Sequence, residues 1–339
     1  MDQPTSTATA LASHKLILLS PFALPDDCVP TLTKTFPGLE VVARYQPWDR
    51  QTTDLPEEEW RDATILATGS MLPDAELAPK LQYVQLFSAG ANHLAEHAVF
   101  KDHKVVFCGA NGVHGPQIAE WVIATYLSAK HRLAEYRQLQ EQNEWRHNSN
   151  NLDEAVEDSV GRCVVAAEND AYQPHGLGDP AGDLPDRWFA GTTKADVHAF
   201  LGSGLDLLVV ALPLTDRTRG LIGADELDLL ARHRPAGTSS GSGFFLSNIA
   251  RGAVVDTDAL IAALNDGRIA GAALDVTDPE PLPPGHPLWS ARNVTITPHV
   301  SGSSTRYLAR VLDILTINLG RLRAGQALLL NQLDKKAGY

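Results

Sequence analysis

Short apolar runs recur along the chain, each followed by turn residues and then by a longer stretch with helical spacing. Leu16–Leu19, Leu39–Ala43, Thr64–Thr68, Tyr83–Phe87 and Val105–Cys108 read as strands, and Asp74–Leu81 between them as a helix. Strands interleaved with helices pack as parallel sheets covered on both faces, so the expected fold class is α/β. A length of 339 residues exceeds one ordinary domain and suits two.

A second block of the same kind starts near Gly161, with strands expected at Cys163–Ala167, Leu205–Leu212, Phe244–Ile249, Ala270–Val276 and Asn293–Thr297. Asp258–Asp266 reads as a helix capped by Thr257 or Asp256 and stopped by Gly267. Leu308, Val311, Leu312, Leu315, Leu319 and Leu322 make one apolar stripe of a terminal helix that stops at Gly325. Between the blocks, Gly112–Pro116 opens a helix predicted to run to about Trp145. Its stripe of Ile118, Trp121, Val122, Thr125, Tyr126 and Ala129 suits a dimer arm or a domain-bridging core helix equally.

Two stretches depart from this rhythm. Asn169–Asp196 is rich in Gly, Pro and Asp with little periodicity, and Gly237–Gly243 reads GTSSGSG just ahead of a strand.

With 28 Lys and Arg against 41 Asp and Glu, the net charge is −13. That balance gives no broad attraction for nucleic acid or anionic lipid, so an anionic ligand must be held by a local cation. Cys28, Cys108 and Cys163 are far apart and lack metal spacing, as do His93, His97, His114, His198 and His286, so no metal is expected. No leader-like segment and no apolar run of membrane-spanning length is visible; a reducing cytoplasm is the expected compartment.

In an open parallel sheet, ligands sit outside the carboxyl ends of the strands. The residues that follow the second-block strands are Pro213-Leu-Thr-Asp-Arg-Thr218, then Ala250-Arg251-Gly252, then Asp275 with Glu280-Pro281, then Pro298-His299. Four consecutive strands thus deliver polar groups to one rim.

These motifs, PLTDRT, SNIARG, ALDVTDPEPLPPGHPLW and NVTITPHVSG, resemble those of the D-isomer-specific 2-hydroxyacid dehydrogenases. Phe87-Ser-Ala-Gly-Ala91 is similar to that family's substrate-side loop, and Ile118-Ala-Glu120 also fits. The resemblance implies two Rossmann-like domains with the active site in the cleft between them. Residues 1–110 plus 303–339 would form the substrate domain and 111–302 the NAD-binding domain. It also implies NAD or NADP as cofactor and a small 2-oxo or 2-hydroxy acid as substrate, while the long helix, read as a dimer arm, makes a homodimer the expected assembly.

By the same resemblance, Arg251 holds the substrate carboxylate by a forked pair of hydrogen bonds, helped by backbone amides near Ala89 and Gly90. His299 is the acid/base and Glu280 its hydrogen-bond partner, since a carboxylate beside an imidazole orients it and favours the imidazolium. Pro213, Thr218, Ile249, Ala250, Asp275, Ser301 and Gly302 are the candidates for lining the cofactor cleft, Asp275 at the nicotinamide end. A non-catalytic reading stays open, because the family includes corepressors that keep the fold and the dinucleotide site.

One expected part cannot be found. The family pattern places G-x-G-x-x-G directly after the first strand of the cofactor domain, but Cys163–Ala167 runs into Glu168-Asn-Asp-Ala-Tyr172. Gly176-Leu-Gly178-Asp-Pro-Ala181 matches formally, yet it follows Pro174-His175 and precedes Gly182-Asp-Leu-Pro185, which cannot propagate a helix. Against the family pattern, a strand, loop and helix unit of roughly 30 residues is lost between Arg162 and Tyr172. A mis-spliced gene, a splice variant or a decayed paralogue each accounts for it, and impaired cofactor binding is expected.

Overall fold

A computed structural model describes residues 11, 13–145, 172, 179, 182–232 and 243–335. They fall into two compact units, dividing between His114 and Gly115 and again between Ser303 and Ser304, with Tyr172 in the first.

In the first unit the strands are β1 (Lys15–Ser20), β2 (Glu40–Tyr45), β3 (Ile65–Thr68), β4 (Tyr83–Leu86) and β5 (Val106–Cys108). All pair in parallel, in the order β2-β1-β3-β4-β5. β1, β3 and β4 are buried along their whole length, as central strands of a parallel sheet must be, whereas the edge strand β2 is largely open. Helices α1 (Cys28–Thr35), α2 (Glu57–Arg61) and α3 (Ala98–Lys101) lie between them.

The second unit holds α4 (Gly115–Lys130), α5 (Leu133–Glu141), α6 (Lys194–Leu201), β6 (Leu207–Val210), α7 (Ala224–Arg232), β7 (Phe245–Asn248), α8 (Thr257–Asn265), β8 (Gly271–Leu274) and β9 (Val294–Ile296). Its four strands pair in parallel in sequence order. α8 is capped by Asp256, whose side chain accepts from the Ala259 amide. Gly267 then ends it at φ +68°, a conformation open to glycine at little cost.

The last helix, α9 (Tyr307–Arg323), packs in the first unit, where Val311, Ile314, Leu315 and Leu319 join Leu16, Leu18 and Ile65 in one core. Asn318 on this helix is fully buried, donates to the Tyr83 hydroxyl at 3.0 Å and to the Leu330 carbonyl at 3.1 Å, and accepts from the Leu330 amide at 2.7 Å. A buried polar network with its partners in place favours one packing of helix on sheet over its alternatives.

Two expected elements differ. Asp74–Leu81 forms turns, because Pro79 lacks the N–H that a helix needs and disfavours helical backbone at Ala78. The predicted helix to Trp145 breaks after Lys130, where Arg132 takes φ +54°, and beyond the break Leu139 is buried. The expected strand at Cys163–Ala167, the GLGDPA match apart from Asp179, and all of GTSSGSG except Gly243 lie outside the described residues.

Candidate active site

β7 ends in Asn248, which is buried. Its Oδ1 accepts from the Ala250 amide at 3.1 Å and its Nδ2 donates to the Arg251 carbonyl at 3.0 Å, so one side chain fixes the turn that presents Arg251. Arg251 is half-buried in extended backbone, and its Nη1 donates to the Ala250 carbonyl at 2.6 Å. Among the described residues no carboxylate pairs with it. A Cβ on Gly252 would stand 1.9 Å from the carbonyl carbon of Thr277, so only glycine lets the Arg251 turn lie against the turn that leads to Glu280.

β8 is followed by Asp275, only 2% exposed. Its Oδ1 accepts from the Thr297 hydroxyl at 2.6 Å and the Val300 amide at 2.8 Å. Its Oδ2 accepts from the Ser301 amide at 3.0 Å and the Ser301 hydroxyl at 2.5 Å. The carboxylate therefore faces its own neighbouring loop. Four donors on one buried carboxylate make it the anchor of the loop after β9.

That loop carries His299 at φ +55°, its amide shared between the Asp275 carbonyl at 2.8 Å and the Thr297 carbonyl at 3.0 Å. The ring Nδ1 lies 2.7 Å from Glu280 Oε1, and Glu280 Oε2 accepts from the Thr277 amide at 3.3 Å. Imidazole and carboxylate are both substantially open to solvent. With Nδ1–H donated to Glu280, Nε2 is the ring atom left to exchange a proton with a ligand.

The other expected residues of this unit occupy the same strand ends. Pro213 and Thr218 close the loop after β6, the Thr218 hydroxyl donating to the Pro213 carbonyl at 2.7 Å. Ile249 is half-buried and Ala250 buried after β7, while Ser301 is spent on Asp275. The Gly302 carbonyl accepts from Gln117 Nε2 of α4 at 2.8 Å. Ala89 and Gly90 belong to the first unit, in the turn after β4. There the Ser88 hydroxyl donates to the Gly90 carbonyl at 2.8 Å, and no described residue accepts from the Ala89 or Gly90 amides.

Residues 185–301 match the profile of the D-isomer specific 2-hydroxyacid dehydrogenase, NAD binding domain. An uncharacterized protein in the proB 3' region of Corynebacterium melassecola is 30% identical over 295 residues, 83% of this chain and 92% of the relative. A crystal structure of a D-isomer specific 2-hydroxyacid dehydrogenase from Xanthobacter autotrophicus Py2, in complex with NADPH and MES, superposes with a TM-score of 0.67 at 27% identity over 96% of this chain and 100% of that one. The chain belongs to the D-isomer specific 2-hydroxyacid dehydrogenase family. Within it, the glyoxylate reductase of Aeropyrum pernix is 41% identical over 121 residues, 36% of this chain and 33% of that protein.

A nicotinamide dinucleotide would meet mainly apolar groups at this rim. Exposed Pro213 and half-buried Ile249 offer apolar surface to a flat ring, and the small side chain of Ala250 leaves room beside them. The family profile begins at residue 185, so it takes in none of the 163–172 stretch where a phosphate loop was expected.

Asn248, Thr297 and Gly252 also shape the site, although none is among the candidates that the motifs single out. The first two had a signal in being short polar residues flanking the motif positions, where such side chains bond nearby backbone. The role of Gly252 depends on Thr277, 25 positions further on, and had none.

Proposed function

We propose that this dehydrogenase-family chain is an NAD(P)-dependent oxidoreductase interconverting a small 2-oxo acid and its 2-hydroxy acid. The carrying observation is the 2.7 Å pairing of His299 Nδ1 with Glu280, on a loop anchored by Asp275 and at the same sheet end as Arg251. NAD(P)H, when bound, would supply the hydride. Arg251 holds the substrate carboxylate and so orients the neighbouring carbonyl, a role that the family resemblance also gives to the amides of Ala89 and Gly90. His299 Nε2 gives its proton to the carbonyl oxygen of the substrate, and Glu280 holds the ring in place for that transfer. In the oxidative direction neutral His299 takes that proton back.

Pro213, Ile249, Ala250, Asp275 and Gly302 would line the nicotinamide end of the cofactor, and Thr218 and Ser301 would shape the loops beside it. Asp275 acts as a positioning residue for the His299 loop.

A homodimer fits α4 and α5. α4 packs Tyr126 on Phe245 of β7 at 5.6 Å, yet Ile123 and Leu127 on α4 and Leu133 and Tyr136 on α5 stay exposed. Light scattering after gel filtration reports the subunit number, and a monomer removes that part of the reading. Buried free thiols at Cys28 and Cys108 suit the cytoplasm, and among the described residues no helix is long and apolar enough to cross a membrane.

The test is oxidation of NADH and NADPH followed at 340 nm with a panel of 2-oxo acids, beside the same panel with His299→Asn. Turnover that the variant loses supports the proposal; turnover that survives it places the acid elsewhere.

A further inference from the structure

The first unit's sheet runs in the order β2-β1-β3-β4-β5, so chain direction across the sheet reverses between β1 and β3. Open parallel sheets receive ligands outside the carboxyl ends of the two strands flanking such a reversal. What stands at that point in this chain is aromatic. Phe22 follows β1, and its ring lies 6.3 Å from that of Trp48, which follows β2, in an edge-to-face arrangement. Phe22 also lies 6.4 Å from Phe87, at the end of β4, and 5.1 Å from Tyr307 at the start of α9.

The row is held by polar groups beneath it. The buried Ser20 hydroxyl donates to the Phe22 carbonyl at 2.8 Å and lies 3.1 Å from the Phe22 amide. Buried Gln46 donates to the carbonyls of Arg50 and Thr52, closing the loop that carries Trp48, and the Ser70 hydroxyl donates to the Trp48 carbonyl at 2.8 Å. A Cβ on Gly69, just after β3, would stand 2.8 Å from the indole, so glycine there makes the room the ring occupies. Tyr307 donates its hydroxyl to the Phe87 carbonyl at 2.6 Å, and burial pushes that phenol well above its ordinary range, keeping it a donor. The row thus ends on the residue next to the 88–90 turn, whose Ala89 and Gly90 amides are unspent among the described residues.

We propose that Phe22 and Trp48 form the wall that receives the substrate's side chain, and that this chain prefers 2-oxo acids with a bulky apolar or aromatic side chain over glyoxylate. The inference rests on the 2-oxo acid reading above. A carboxylate on the Ala89 and Gly90 amides leaves the rest of the molecule facing an indole that is 40% exposed although its backbone and neighbours are pinned. Pre-fixed aromatic surface at a ligand-binding strand end favours ligands that cover it. Glyoxylate has no side chain with which to do so.

The experiment measures kcat/KM of the full chain for phenylpyruvate, 4-methyl-2-oxopentanoate, pyruvate and glyoxylate, with Trp48→Ala and the conservative Trp48→Phe alongside. Phenylpyruvate should exceed glyoxylate by about tenfold or more, and Trp48→Ala should shrink that ratio by about tenfold, mainly through KM, while Trp48→Phe restores most of it. A preference for glyoxylate, or a Trp48→Ala effect equal on every substrate, overturns the proposal. If no 2-oxo acid is reduced, the functional reading fails, and calorimetric titration with phenyllactate and glycolate tests the wall by itself. Tighter phenyllactate binding that Trp48→Ala abolishes supports it; equal binding, or none, rejects it.

Discussion

Glu280 Oε1 and His299 Nδ1 are 2.7 Å apart, although nineteen positions of chain and two different strand ends separate them. The contact occupies one ring nitrogen and leaves Nε2 for the proton transfer proposed above. Loss of a positioned acid typically costs about 10²- to 10⁴-fold in rate, so His299→Asn should lower kcat by that much with cofactor affinity unchanged. Glu280→Gln should lower kcat by a smaller factor, because the acid remains but its orientation loosens. Steady-state rates beside a cofactor titration check both; an unaltered kcat in His299→Asn removes the role assigned to it.

Asp275 offers a separate handle on the same loop. Asparagine has nearly the same shape but replaces one acceptor oxygen by a donor, which must then face the hydroxyl of Thr297 or of Ser301 and a backbone amide. Bonds to a buried charge are worth about 1.5–3 kcal/mol each, and losing part of this set should cost Asp275→Asn about 2–4 kcal/mol of stability. Urea unfolding measures it. A variant as stable as the parent shows that the carboxylate is not the anchor described.

How far such contacts could be read beforehand varies by element. The strand-end positions of Arg251 and His299 were legible because each follows an apolar run within two or three residues, and Glu280 because it stands in the DPEP motif a few residues beyond another. The direction of the Asp275 side chain was not, since its four donors come from Thr297, Val300 and Ser301 and meet it only once β8 and β9 are paired. α1 gave a weak signal because Val29, Thr31, Thr33 and Thr35 are β-branched and Pro30 sits in its first turn. The break at Arg132 had no glycine or proline to announce it, and the helical stripe of α4 runs up to it without interruption. By contrast, the stop at Gly325 and the Asp256 cap are local chemistry and were readable as such.

The acid side of the stability profile should carry the mark of Glu226 at the start of α7. Burial opposes its ionisation. The hydrogen bond with His198 at 2.7 Å, the Gly223 amide at 3.1 Å and the charge of Lys194 outweigh that and hold the carboxyl below its ordinary range. A depressed folded value means that the stabilisation is full above the unfolded value and is lost as pH falls through the folded one. Glu226→Gln should therefore be less stable than the parent by about 1–3 kcal/mol at neutral pH. The gap should begin to shrink near roughly pH 4, as the unfolded carboxyl takes up its proton, and close as pH falls on through the lower folded value. Parallel thermal melts across that range decide it, and a gap independent of pH rules the carboxylate charge out as its source.

The last expectation concerns the dinucleotide. Its pyrophosphate is ordinarily held by glycine-loop amides at a helix amino terminus, where backbone can approach closely and the helix dipole favours negative charge. Directly after Cys163–Ala167 this chain reads Glu-Asn-Asp-Ala-Tyr, which brings two acids and no glycine to the place where the family pattern has its loop. The net charge of −13 works in the same direction against an anionic cofactor. What the described rim would offer a dinucleotide is apolar surface from Pro213 and Ile249, which cannot replace charge-assisted bonds to phosphate. NADH and NADPH should accordingly bind more weakly than micromolar, and turnover should rise with cofactor concentration well beyond that range. Fluorescence or calorimetric titration gives the constant directly, and micromolar affinity for either cofactor would show that another part of the chain supplies the phosphate site.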